Sequence, residues 1–204
     1  MNKTWLLIPA AVALLAGAPV MAQEMNDTSA LSAPKKSPDE RRAEIRKVTQ
    51  ETLDTVYQKH PTAKEAIAKS AGYAVFNNGS ATVIFAGAGG GSGMAVDPAT
   101  GHEVFMQMIQ LKGGIGLGVK NSRLVLVFND KASFHKFVTK GWVLGGEAAA
   151  SAKAGDVGGG LEGARSLGNG VYAYQFTENG ADAEVTVTGT KYSIDHDLTP
   201  KAKK

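Results

Sequence analysis

The sequence predicts an α+β fold in which N-terminal helices pack on a strongly curved, mostly antiparallel, glycine-rich β-sheet or partly closed barrel. Three observations lead there. A helical apolar period runs from about Asp39 to Lys59 and stops at His60-Pro61. After Gly72 the pattern changes to short apolar runs separated by turn residues. Glycines then recur at alternate positions, which strips side chains from one face of a strand and lets a sheet bend.

The first helix begins at Ser37-Pro38-Asp39-Glu40, where Ser37 or Asp39 can cap and the acidic residues suit the positive end of the helix dipole. His60 precedes a proline and leaves the α region. A second helix from Pro61 to about Ala71 is predicted by proline in a first turn and by Gly72 as its stop. Tyr73–Phe76 reads as a short strand with a turn at Asn77-Asn78-Gly79. Residues Ala81–Ala95 begin as a strand and become glycine-rich, and Asp97-Pro98-Ala99-Thr100-Gly101 is a strong turn. Strands follow at His102–Leu111, Gly114–Lys120 and Arg123–Phe128. Asn129-Asp130 caps a helix over Lys131–Lys140, closed by Gly141. Trp142–Ala152 fits a strand or a short helix. Gly155–Gly170 reads as a loop, and Val171–Thr177 with Ala183–Tyr192 as a final hairpin across Glu178-Asn179-Gly180. Short turns between successive strands make them antiparallel.

The 204-residue chain divides by composition into a signal peptide (1–22), a flexible leader (23–37), one folded domain (38–195) and a basic tail (196–204). Lys3, the apolar run Trp5–Gly17 and small residues before Gln23 predict export and cleavage after Ala22, which places the protein in the periplasm or cell envelope. The chain has no cysteine, so it has neither disulfide staples nor a thiol nucleophile. Its net charge of +3 is far from the dense basic stripe that nucleic acid requires.

The glycines invite a phosphate-cradle reading, but the spacings disagree. Gly87-Ala88-Gly89-Gly90-Gly91-Ser92-Gly93 has no following Lys and Ser or Thr pair. Neither it nor Gly114, Gly116 and Gly118 places a third glycine where a dinucleotide loop needs one. The four histidines (His60, His102, His135, His196) lack metalloprotease spacing. His102-Glu103 has no evident partner, His135 reads as an ordinary partly buried histidine, and Asp195-His196-Asp197 as a solvated strand end. No nucleophile, base and orienting group emerge as a set. The chain is therefore expected to be no enzyme and to need no cofactor or metal.

The first helix carries the most informative chemistry. Ile45, Val48, Thr52 and Val56 repeat at helical spacing, widened by Leu53 and Tyr57. Lys35, Lys36, Arg41, Arg42, Arg46 and Lys47 outnumber Asp39, Glu40 and Glu44 around its start. At about 1 kcal/mol per basic residue near an anionic surface, that excess gives about 3 kcal/mol, and stable attachment needs apolar insertion as well. The stripe Ile45, Val48, Leu53 and Val56 can face a membrane or the protein core, but not both at once.

With these features placed, the chain resembles the SYLF-domain family of lipid- and actin-binding domains. The likeness lies in Ala68–Phe76, Gly87–Gly93, Gly114–Lys120, Arg123–Asp130, Phe137–Gly146 and Gly170–Tyr174, and covers about Pro38 to Tyr192. The resemblance implies a phospholipid-binding domain; eukaryotic members recognise phosphoinositides through an N-terminal basic amphipathic helix, and some bind actin. The matching element is Asp39–Lys59, with Arg41, Arg42, Arg46 and Lys47 as headgroup ligands. This chain departs in its export segment and in showing none of the SH3 or FYVE modules of eukaryotic members. Phosphatidylglycerol or cardiolipin is the expected substitute for phosphoinositide. The expectation is a non-catalytic protein that binds anionic phospholipid at the bacterial envelope; the alternative is a periplasmic binding module for a small apolar ligand or a protein partner.

Overall fold

A computed structural model describes residues 36–83, 86–113, 118–144, 161–177 and 189–199. The proposed signal peptide, nearly all of the leader, Gly114 and Gly116, the Glu178-Asn179-Gly180 turn and the basic tail beyond Thr199 lie outside the described residues.

Two helices open the domain, α1 (Pro38–Lys59) and α2 (Thr62–Lys69). Ser37 is the N-cap of α1, in a full capping box: its hydroxyl accepts from the Glu40 amide, and the Glu40 carboxylate accepts from the Ser37 amide at 2.7 Å. Strands β1 (Gly72–Val83), β2 (Ala86–Asp97), β3 (His102–Gly113) and β4 (Gly118–Phe128) follow. Then come α3 (Lys131–Lys140), β5 (Trp142–Leu144), β6 (Arg165–Gly168), β7 (Val171–Thr177) and β8 (Thr190–Ile194). The eight strands form one curled, antiparallel half-barrel sheet, in the order β5-β8-β3-β2-β1-β4-β7-β6.

Three predictions are corrected. Asn77-Asn78-Gly79 is not a turn: β1 runs through it, pairing with Gly90–Ser92 on one side and Asn121–Arg123 on the other. Two ladders outweigh a local turn preference. Within Gly155–Gly170, residues 165–168 form β6, joined to β7 through Asn169-Gly170. Both turn residues have positive φ, 52° and 69°, the conformation of a two-residue hairpin. Gly114–Lys120 and Arg123–Phe128, expected as two strands, are one continuous strand from Gly118 onward, β4. Most of the predicted final hairpin, residues 178–188, lies outside the described residues; of its flanks, β7 pairs with β4 and β6, and β8 with β3 and β5. Of Trp142–Ala152, the described part is the strand β5.

The period of two divides the core between the faces. On one face Val75, Val125, Val127, Tyr174 and Phe176 pack against Leu53 and Val56 of α1 and Ala63 and Ile67 of α2. Beside them Met94, Val96 and Phe105 meet Ile45 of α1 and Leu198, which follows β8. On the other face Ala74, Phe76, Met106, Leu126, Phe128 and Tyr192 pack against Phe137 of α3, with Phe134, Val138 and Trp142 at the margin.

Gly93 lies directly across from Phe76, and a Cβ there would collide with the Val75 carbonyl and the Phe76 ring. The bare position is thus filled by an aromatic from the neighbouring strand, in keeping with a structural use of the glycines.

Candidate functional site

The four cations singled out from the sequence all lie in the first half of α1, but the fold does not gather them into one patch. At 3.6 residues per turn, Arg41 flanks one side of the buried stripe, Arg42 and Arg46 the other, and Lys47 faces outward. Of the apolar set, Ile45, Leu53 and Val56 are buried against the sheet and α2, and Val48 is half-buried. Thr49 and Thr52 are buried with them; the Thr52 hydroxyl donates to the Val48 carbonyl at 2.6 Å. α1 is therefore docked, and its stripe is part of the core.

Each arginine has a partner within the chain. The Arg41 guanidinium donates to Asp195 at 2.8 Å. Arg42 donates to Asp39 at 2.6 Å and to the Leu198 carbonyl at 2.8 Å. Arg46 donates through both Nε and Nη2 to the Glu103 carboxylate, at 2.8–3.2 Å, and its guanidinium lies 5.2 Å from the Phe105 ring centre. The bidentate bond to Glu103 raises the Arg46 pKa above its ordinary value. Lys47 is the loosest, 3.9 Å from Glu51, with its side chain 77% exposed. Arg46 is half-exposed, and Arg42 is the most enclosed.

The partners are the residues sequence reasoning missed. Glu103, expected to lack a partner, holds Arg46. Asp195, expected in a solvated strand end, is buried and bidentate: one oxygen takes Arg41, while the other accepts from the amides of Asp197 and Leu198. Thr199 completes this C-terminal latch by accepting from the Phe105 amide and donating to its carbonyl. Glu103 and Asp195 stand 57 and 154 positions from the arginines they hold, and no local pattern announces them. Thr49 was legible, one turn after Ile45 on the same face.

Beneath the first half of α1 a cleft of about 380 Å³ opens against the sheet. Ile45, Val48 and Val75 give it an apolar wall, Thr49, Asn77 and Ser92 a polar one, and Lys36, Arg41 and Glu44 stand among its lining residues. Elsewhere the titratable groups do structural work. Burial pushes the Tyr174 hydroxyl up to about 12, helped by nearby Glu162, whose carbonyl accepts its proton at 3.3 Å. Burial likewise raises Tyr192. His60 ends α1 with its ring centre 5.3 Å from that of Tyr174. His135, expected to be partly buried, is exposed. Among the described residues no group of three His, Asp or Glu side chains could hold a metal, and no helix is long and apolar enough to cross a membrane.

Residues 109–202, from β3 past the C-terminal latch, match the family model described as Ysc84, Las17-binding protein actin regulator. The chain is also 32% identical, over 170 residues, to a protein of Aeromonas veronii named beta cell expansion factor A. That alignment takes in 82% of this chain and 62% of the relative's length.

Proposed function

Because the chain carries a domain of the Ysc84, or SYLF, family, whose members serve as lipid- or actin-binding modules, we propose that it is a non-catalytic phospholipid-binding protein of the bacterial envelope that recognises anionic headgroups through α1. The observation that carries this reading is the accessibility of Arg46 and Lys47, whose side chains are 50% and 77% exposed on a helix that is itself firmly docked. Exposed ion pairs contribute about 0–1 kcal/mol, and a basic residue beside an anionic surface gains about 1 kcal/mol. Exchanging Glu103 or Glu51 for a lipid phosphate is therefore close to balanced, and a membrane offers many phosphates at once. With Ile45, Leu53 and Val56 in the core, α1 supplies charge rather than apolar insertion. Attachment is peripheral and sensitive to salt.

The test is co-sedimentation with phosphatidylcholine vesicles and with equimolar phosphatidylcholine–phosphatidylglycerol vesicles. Binding should require the anionic lipid and weaken in Arg46→Gln/Lys47→Gln. Equal binding to both vesicle types, or no change in the variant, refutes the role given to α1. The cleft beneath α1 favours a second reading, a small amphiphile held inside, since its volume lies in the usual range for ligand pockets. Lipid recovered with the purified protein, together with indifference to vesicle charge, selects that reading.

A further inference from the structure

Ile109 and Val143 are the two large apolar side chains exposed among the described residues, at 52% and 66%. They stand far apart in the chain, and the sheet brings them together. Ile109 pairs with Lys191 across β3 and β8, and Lys191 with Val143 across β8 and β5, so the three form one row over adjacent strands. At about 4.8 Å per strand, the row is about 10 Å long. Side chains of directly paired residues share a face, and chain neighbours take the opposite one. Met108 and Tyr192 are accordingly buried on the α3 face, with Trp142 half-buried there, while Ile109, Lys191 and Val143 are exposed on the face that carries α1.

α1 stops short of this row. On β3, Phe105 meets Ile45 of α1; Gln107, two residues on, is exposed, and Ile109 follows two further on. Gln107 belongs to a polar row with Asn77, Ser92 and Ser193, which separates the helix from the apolar one. Beyond Ile109 the apolar row continues onto β2 at Gly90, where a Cβ would meet nothing nearer than the Met108 carbonyl at 3.9 Å. The sheet is thus bare beside Ile109. β5 and β8 contain no acidic residue, and the single acid of β3, Glu103, holds Arg46.

We infer that this row is where the protein enters an anionic phospholipid surface: Ile109 and Val143 insert at the hydrocarbon edge, and Lys191 between them meets a headgroup phosphate. A lysine set among apolar residues buries its stem with them and keeps its ammonium at the phosphates, which matches a surface with phosphate outside and hydrocarbon below. A second copy of the chain fits the row poorly. Two side chains fall far short of the about 800 Å² per partner that a stable interface buries, and a two-fold contact centred here would set Lys191 against its own copy. A membrane needs only a few inserted side chains once charge draws the protein to it. Charge is what α1 offers, and with Ile45, Leu53 and Val56 in the core it has no insertion of its own. Row and helix share one face of the sheet, so the row deepens the phospholipid reading above, on which it rests.

The experiment compares full-length wild type with Ile109→Ser/Val143→Ser and with Lys191→Gln on the same two vesicle compositions. All three positions are exposed, and unchanged thermal unfolding confirms that the variants are folded. Removing both apolar side chains should weaken binding to the anionic vesicles by on the order of tenfold or more, and Lys191→Gln by about fivefold. Depth is read from Ile109→Trp: acyl-brominated phosphatidylcholine in the anionic vesicles should quench its fluorescence well beyond the wild-type signal. His135→Trp, exposed on α3 across the sheet, should show no added quenching. If wild type prefers anionic vesicles but the serine pair binds equally well, or Ile109→Trp is quenched no more than His135→Trp, the row is overturned while the phospholipid function stands. If wild type sediments as a dimer without lipid and the serine pair as a monomer, the row belongs to a second copy and its membrane role is overturned. If wild type shows no preference for anionic vesicles, the function itself fails, and the row with it.

Discussion

α1 and α3 pack on opposite faces of the same sheet, and both carry several basic residues. α1 carries five basic residues and five acidic ones, and its arginines are tied to Asp39, Glu103, Asp195 and the Leu198 carbonyl. α3 carries three lysines and no acid, and its last two lysines point to solvent without a partner among the described residues. Their seating differs as well. α1 is held by a mixed interface of apolar contacts and long-range ion pairs reaching into the C-terminal latch. α3 is held by an aromatic cluster, with Phe137 between Phe76, Phe128, Trp142 and Tyr192 at ring distances of 4.9–6.3 Å. The number of cations on a helix is a poor measure of the charge it offers to a partner; what the fold places opposite those cations decides it.

The sharpest way to break this comparison is to remove each helix's seat. Phe137→Ala should cost about 3–5 kcal/mol, because it opens a cavity where five aromatic rings meet. Urea unfolding would show it as a large fall in midpoint. Asp195→Ala should cost less, about 1–3 kcal/mol, since it leaves the Asp197 and Leu198 amides and the Arg41 guanidinium without their acceptor. Asp195→Asn, which keeps an oxygen for the turn amides, should recover part of that loss. If Asp195→Ala proves as costly as Phe137→Ala, α1 is seated by its polar latch far more than the packing implies, and the contrast between the helices fails.

The same comparison shows what local sequence can carry. Both helices were legible to within a residue or two, because their ends are marked chemically: Ser37 with Glu40 and His60-Pro61 for α1, Asp130 and Gly141 for α3. The sheet was legible as a class but not in its order. Asn77-Asn78-Gly79 has a turn's composition, yet lies between two ladders that the tripeptide does not encode. β6 was hidden by glycine-rich surroundings, although Asn169-Gly170 ahead of Val171 is a hairpin signal. For the candidate site, the identities of the cations and of the stripe were legible and their partners were not. Glu103 and Asp195 come from remote positions in the chain, and only the folded sheet sets them beside α1. That is also why α1 looked more available in sequence than it is.

The smallest expected effect concerns what the two helices share, an acidic residue at the start whose charge is used by backbone amides. The Ser37 backbone amide and then its hydroxyl hold the Glu40 carboxyl below the usual carboxylate range, and the Ser133 amide does the same for Asp130. Each folded value lies below the unfolded one, so in the intervening window the unfolded chain binds more protons and stability rises with pH. The contribution is complete above the unfolded values, about pH 4, and is lost as pH falls through the lowered folded values. Thermal unfolding followed from neutral pH into the acid range should therefore show a decline from these groups that begins only near about pH 4. The variant Glu40→Gln/Asp130→Asn, which keeps acceptor oxygens but removes the titration, should show a shallower acid limb. Both carboxylates are fully exposed and screened by solvent, so the difference is small. Made singly, the two substitutions assign that limb to α1 or α3. If only Asp130→Asn flattened it, the cap of α1 would be redundant with its distant ion pairs, as a helix held by its latch requires, whereas equal flattening by both would mean that each helix depends on its own first turn however it is seated.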